Sequence, residues 1–302
     1  MLISALKNSA SCSMNVSSRR TARSTLSELH RLAFRSLNTA TRTMASTATP
    51  LPELPTASSS KLGIEPAKPA PRFQLPEVAG HRDVHDNDAK LQAVGRDFRS
   101  DTVTIPTERM FEAMRQASRG DDVYSEDETT QSFQASIAAL TGKEAGLYVM
   151  SGTASNQLAL RSHLVQPPYS VLLDARAHIH TSEAGALALI SGATSLAISP
   201  SNGRYLRWDE DISPNLVLDD DIHHCPTKII ALENTLAGTL MPQEEIEKIS
   251  REARARGVIM HLDGARIWNV AAKTGLSMEE LCRPFDTVSL CLSKGLGAPI
   301  GR

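Results

Sequence analysis

From residue 97 onward the chain repeats one apolar pattern. Short, mostly aliphatic runs at 145–150, 170–174, 194–199, 228–233, 257–263 and 287–293 are each followed by small or polar residues, then by apolar positions at helical spacing. Residues 107–118 and 129–140 carry the helical spacing ahead of the first run. Strands alternating with helices at this interval predict an α/β domain with a mainly parallel sheet flanked by helices. In such sheets ligands bind beyond the carboxyl ends of the strands. The residues just after each apolar run are therefore where chemistry is to be sought.

The pattern upstream is different. Residues 46–72 are rich in Pro, Ser, Ala and Thr without periodicity, and with the weakly patterned stretch behind them they read as a disordered linker over 46–95. Within HRDVHDNDAK, His81 and His85 stand at i, i+4, a spacing that suits a metal and equally a solvated surface. The net charge of −2 hides an asymmetry, because residues 1–45 hold seven basic residues (Lys7, Arg19, Arg20, Arg23, Arg31, Arg35, Arg42) against one acidic residue, Glu28. An Arg- and Ser-rich, acid-poor start has the composition of a mitochondrial transit peptide. Translation from Met44 would instead give a cytoplasmic form.

Three classes of function recede on composition. No apolar run approaches the ~20 residues of a membrane span. No basic face studded with aromatics argues for nucleic acid. The four cysteines (Cys12, Cys225, Cys282, Cys291) contain no CxxC pair, so neither a disulfide framework nor a zinc knuckle is indicated. The expected partner is a small molecule.

Four strand ends carry candidate chemistry. In LYVMSGTASNQLAL a run leads into Ser151-Gly152-Thr153 and a helix, which either caps that helix or offers backbone N–H groups to a phosphate. In VIMHLDGARIW, Asp263 ends an apolar strand, where a carboxylate needs a partner. Lys294 ends the next strand at the same edge, in CLSKGLGAPIGR. His178 and Glu183 follow VLLDARA. An amine that forms an imine, a carboxylate facing a protonated pyridine nitrogen and a phosphate cradle are together what a pyridoxal 5'-phosphate site requires.

Seven stretches in order, DFRSDTVT, DDVYSED, YVMSGTASNQ, HIHTSEAGA, DDIHHCPTKIIALENT, HLDGARIWN and SLCLSKGLGAPIG, resemble the L-threonine aldolases of the low-specificity and allo-threonine type. The resemblance spans 97–301. It implies the aspartate-aminotransferase fold (fold type I) for 96–302, pyridoxal phosphate as cofactor, and a homodimer or homotetramer. It implies Lys294 as the lysine bonded to the cofactor, Asp263 at the pyridine nitrogen, His178 stacked on the ring, and Gly152 and Thr153 at the phosphate. Ser100 and Arg266 would grip the substrate carboxylate, with Arg266 also near the cofactor. His223 would lie near the substrate hydroxyl and Tyr124 would line the pocket. The implied reaction is retro-aldol cleavage of L-threonine or L-allo-threonine to glycine and acetaldehyde, with His178, His223 or a water as base, serving threonine catabolism and glycine biosynthesis. Family members continue past the lysine motif into a small C-terminal domain that supplies a second arginine, so the resemblance also implies that this chain lacks that domain. Three rivals stand beside it: another fold-type-I lyase, a metal site on His178, His180, His223 and His224, and an inactive truncated fragment.

Overall fold

The computed structural model describes residues 87–301. The transit segment 1–45, His81 and His85, and most of the linker lie outside the described residues. The end of the predicted linker does not: Asn87–Val94 is a helix, α1. Its helix-forming Ala89, Lys90, Leu91 and Gln92 make no apolar stripe, so periodicity gave no sign of it.

Five parallel strands form one sheet: β1 (Ser170–Asp174), β2 (Thr194–Ile198), β3 (Thr227–Glu233), β4 (Ile259–Gly264) and β5 (Thr287–Leu290), in the spatial order β2-β1-β3-β4-β5. The chain steps from β1 to one side for β2, then to the other for β3, β4 and β5. Ligands of such sheets sit where the order reverses, beyond the strands' carboxyl ends. The helices are α2 (Glu108–Gln116), α3 (Glu128–Thr141), α4 (Gly152–His163), the one-turn α5 (His178–Thr181) and α6 (Ala186–Leu189), α7 (Gln243–Ala255), α8 (Ile267–Thr274) and α9 (Met278–Cys282).

Alternation along the strands separates two cores, because neighbouring side chains point to opposite faces. Leu172, Ile230, Leu232, Met260 and Leu262 pack with Ile246 and Ile249 of α7 and with Ile267 and Val270 of α8. Val171, Leu173, Ile229 and Ala231 pack on the other face with Leu160 of α4 and Leu187 of α6. Both faces are covered, which is why the central strands read as unbroken apolar runs. On the α4 face the apolar pattern stops at β4 and β5, where His261, Asp263, Thr287 and Ser289 replace aliphatics. Helix α4 answers in kind: Asn156 bonds to His261 and Asp263, Ser155 to Ser289, and His163 to Thr287.

One predicted strand is absent. Residues 145–150 form no ladder. Gly146, Leu147, Tyr148 and Val149 line a groove of about 460 Å³ together with Thr287 and Val288 of β5, and Tyr148 N–H bonds the Gln134 side chain at 2.9 Å in place of a strand backbone. An apolar run becomes a strand only with a ladder partner, and among the described residues β5 pairs with β4 alone.

Candidate functional site

The carboxyl ends of β3, β4 and β5 open into a cavity of about 380 Å³, within the range that takes a small cofactor. Glu233 and Asp263 stand opposite one another in the β3–β4 register, and Asp263 stands opposite Ser289 on β5. Lys294 follows β5 in a tight turn, its carbonyl accepting from Gly297 N–H at 2.9 Å and from Thr104 Oγ1 at 2.8 Å. The first turn of α4 closes one end of the cavity with Ser151, Gly152 and Thr153. Ser151 Oγ accepts from Ala154 N–H at 3.1 Å, so its extended backbone starts the helix and aims the free first-turn N–H groups outward. His178 enters from the start of α5.

A buried polar network backs this wall. Glu183, 3 % exposed, accepts from Asn156 Nδ2 and His178 Nδ1 on one oxygen, at 2.8 and 3.0 Å, and from Gln157 Nε2 on the other, at 2.8 Å. Asp263, 4 % exposed, accepts from Asn156 Nδ2 at 2.8 Å and from Ala265 N–H at 3.1 Å. Glu233 Oε2 accepts the His178 backbone N–H at 2.8 Å. Burial, then the Asp263 charge, push the Glu233 carboxyl up to about 7. Arg266 holds Asp101 by two bonds of 2.8 Å, and this pairing raises the guanidinium further above its usual range.

Of the residues singled out in the sequence, Lys294, Asp263, His178, Gly152, Thr153 and Arg266 line the cavity. Three do not. Ser100 caps the short turn Asp101–Val103, and its neighbour Thr102 reaches the cavity instead. Tyr124 is 77 % exposed on the turn Asp122–Tyr124. His223 lies in an exposed loop, its N–H bonded to Asp221 Oδ1 at 2.9 Å, because the chain between Asn215 and β3 runs outside the sheet. The four-histidine metal set does not assemble either: His224 pairs with Asp219 at 2.7 Å, and among the described residues the group of close ligand atoms is His178, Glu183 and Asp263. Sequence reasoning missed Glu233, Asp101 and Asn156. All three lie inside the quoted motifs, and the buried carboxylate in ALENT was the signal for the first.

The wall suits pyridoxal phosphate by its donors: a lysine amine, a carboxylate whose oxygens are already fixed, and the open N–H groups of a helix start. Lys294, Asp263 and the 151–153 turn would hold its carbonyl carbon, ring nitrogen and phosphate.

The sequence profile of the beta-eliminating lyases matches residues 97–302. The low-specificity L-threonine aldolase of Candida albicans is 54% identical over 208 residues, 68% of this chain and 55% of the relative. A probable low-specificity L-threonine aldolase of Schizosaccharomyces pombe is 50% identical over 213 residues, 70% of this chain and 56% of the relative. A crystal structure of a candidate L-allo-threonine aldolase from Listeria monocytogenes superposes with a TM-score of 0.53 at 26% identity, over 66% of this chain and 55% of that one. The chain thus spans about half the length of the curated relatives it matches.

Proposed function

This chain belongs to the beta-eliminating lyase family, and from that premise we propose that it binds pyridoxal phosphate and serves the retro-aldol cleavage of L-threonine and L-allo-threonine to glycine and acetaldehyde. One observation carries the reading: Asp263 near the end of β4 and Lys294 in the turn after β5 line a single cavity with the first turn of α4. The threonine aldolase names of the relatives supply the substrate.

When bound, the cofactor supplies an electron sink conjugated to the substrate α-carbon. The protein's own residues do the rest. Lys294 is the nucleophilic amine, and Asp263 keeps a proton on the ring nitrogen. In this reading His178 accepts the β-hydroxyl proton. Its Nδ1 faces the acceptor Glu183 and so carries the hydrogen, which leaves Nε2 with the lone pair. His223, outside the cavity, is not assigned this task. Glu233, close to half-protonated at neutral pH, holds a second exchangeable proton at the same wall. Arg266, oriented by Asp101, presents the positive charge for the substrate carboxylate.

The test is to add pyridoxal phosphate to the purified chain, record the visible imine band, and assay glycine and acetaldehyde from both substrates. A band that persists in Lys294→Ala would overturn the assignment. The fold-type-I sites of the resembling family lie between protomers, which supports assembly with a second copy; sedimentation tests it. The basic first 45 residues support delivery to mitochondria, and a diffuse signal from a reporter fused to them would refute it.

A further inference from the structure

Asn156 and His261 lie in two of the quoted motifs and have no part in the chemistry above, yet both are buried, at 2 % and 0 % exposure, directly behind Asp263. We propose that they are positioning residues, which fix the Asp263 carboxylate through a one-way chain of hydrogen bonds running inward from His163. The proposal rests on the reading of Asp263 as the partner of the cofactor's ring nitrogen.

The direction follows from what each group can donate. Glu183 and Asp263 accept, so Asn156 must turn its NH₂ toward them, and both bonds measure 2.8 Å. The amide oxygen then faces His261 Nε2 at 3.2 Å and can only accept, so Nε2 must carry the hydrogen. A neutral imidazole protonated on Nε2 has a bare Nδ1, so the Thr287 hydroxyl, 3.0 Å away, must donate to it. The Thr287 oxygen then accepts from His163 Nε2, at 3.3 Å. Each bond sets the sense of the next, and the last two hydrogens point one to each carboxylate.

The charges around His261 agree with a neutral ring. Burial dominates and lowers it to about 4, opposed by the Asp263 charge and reinforced by His163. Burial likewise lowers His163. Without Asn156, Asp263 and Glu183 would face each other with their shared donor gone, and nothing else on α4 would hold the Asp263 oxygen that the amide now holds. An amide suits this place because only a two-hydrogen donor can serve two carboxylates at once.

Two measurements on the 302-residue chain decide the matter. In the cofactor-free protein, nitrogen-15 NMR of the histidine rings should find His261 as the Nε2–H tautomer and neutral down to about pH 4. An Nδ1–H tautomer, or a cationic ring at neutral pH, overturns the chain. In the second, pyridoxal phosphate is titrated by its visible imine band into wild type, Asn156→Ala, His261→Ala and His261→Gln. Asn156→Ala loses a bond to the buried Asp263 charge, and His261→Ala frees the amide that makes it, so a dissociation constant raised about tenfold or more, with a displaced band, is predicted in both alanine variants. His261→Gln keeps an N–H for the Asn156 oxygen and should restore most of the affinity and the band position. Alanine variants that match wild type, or a glutamine variant no better than alanine, refute the positioning role. If His261→Ala loses its circular dichroism, Asn156→Ala, His261→Gln and the tautomer still decide. A wild-type chain that takes up no cofactor would sink the proposed function, while the NMR result would still judge the chain of bonds.

Discussion

Arg266 and Asp101, 165 residues apart in sequence, meet in a forked ion pair, Nε to Oδ2 and Nη2 to Oδ1, each at 2.8 Å. It ties the segment that precedes the first long helices to the turn after β4, at the cavity wall. A forked pair fixes the plane of the guanidinium as well as its place. Asp101→Ala should therefore raise KM for L-threonine more than it lowers kcat. Because both side chains are partly exposed, its cost in urea unfolding should be modest, about 1 kcal/mol. A kcat loss with KM unchanged would show that the pair does not orient Arg266 for substrate.

Glu233 should make stability depend on pH in a direction opposite to that of most carboxylates. Its folded-state value, about 7, lies above the ordinary 4.5. Between those values the folded protein holds the proton and the unfolded chain does not, so stability falls as pH rises from 4.5 to 7 and levels off above. The full span is at most about 3 kcal/mol. Urea titrations at pH 5 and pH 8 should show this loss as the difference between wild type and Glu233→Gln, because the lowered His261 and His163 make stability rise with pH over part of the same range in both proteins. An equal loss in both proteins would assign it elsewhere.

Ser151 starts α4 and lines the cavity at once. Ser151→Ala should cost about 1 kcal/mol as a lost cap, and Ser151→Gly only a few tenths. Both should weaken pyridoxal phosphate binding if the frayed first turn no longer holds its N–H groups in place. Fluorescence titration with the cofactor checks it; unchanged affinity in the alanine variant would separate the cap from the anion site.

Leu160 anchors the same helix to the sheet and is fully buried. Leu160→Ala should lower stability by about 3 kcal/mol through lost burial and a cavity. Chemical denaturation reads this directly, and a loss below about 1 kcal/mol would mean that the α4 interface collapses around the gap.

The strands were legible where the sheet covers both faces. Val171, Leu172 and Leu173 announce β1 because each is buried against one core or the other. Residues 145–150 carry the same signature without a strand, and Leu147 and Met150 are exposed, so an apolar run by itself secures neither burial nor a ladder partner. Within the cavity, Lys294, Asp263, His178, Gly152 and Thr153 were legible because they end apolar runs or follow them within a few residues. Asn156 and His261 were not. One stands a turn inside a helix and the other inside a strand, and only the packing of α4 on β4 brings them together. Tyr124 and His223 came from resemblance alone, and in the single chain neither reaches the cavity.

Helix α4 carries Ser151–Thr153 at one end of the cavity and Asn156, behind Asp263, less than two turns later. The helix is thus a measuring rod for the site. At about 1.5 Å per residue it sets the spacing between the anion end and the carboxylate end without reference to any loop. A single residue inserted between Thr153 and Asn156 would swing the amide by about 100° and uncouple the two ends, however well the sheet itself survived. Tolerance to length changes should therefore be high in the loops that frame this cavity and nearly nil within three residues of one helix.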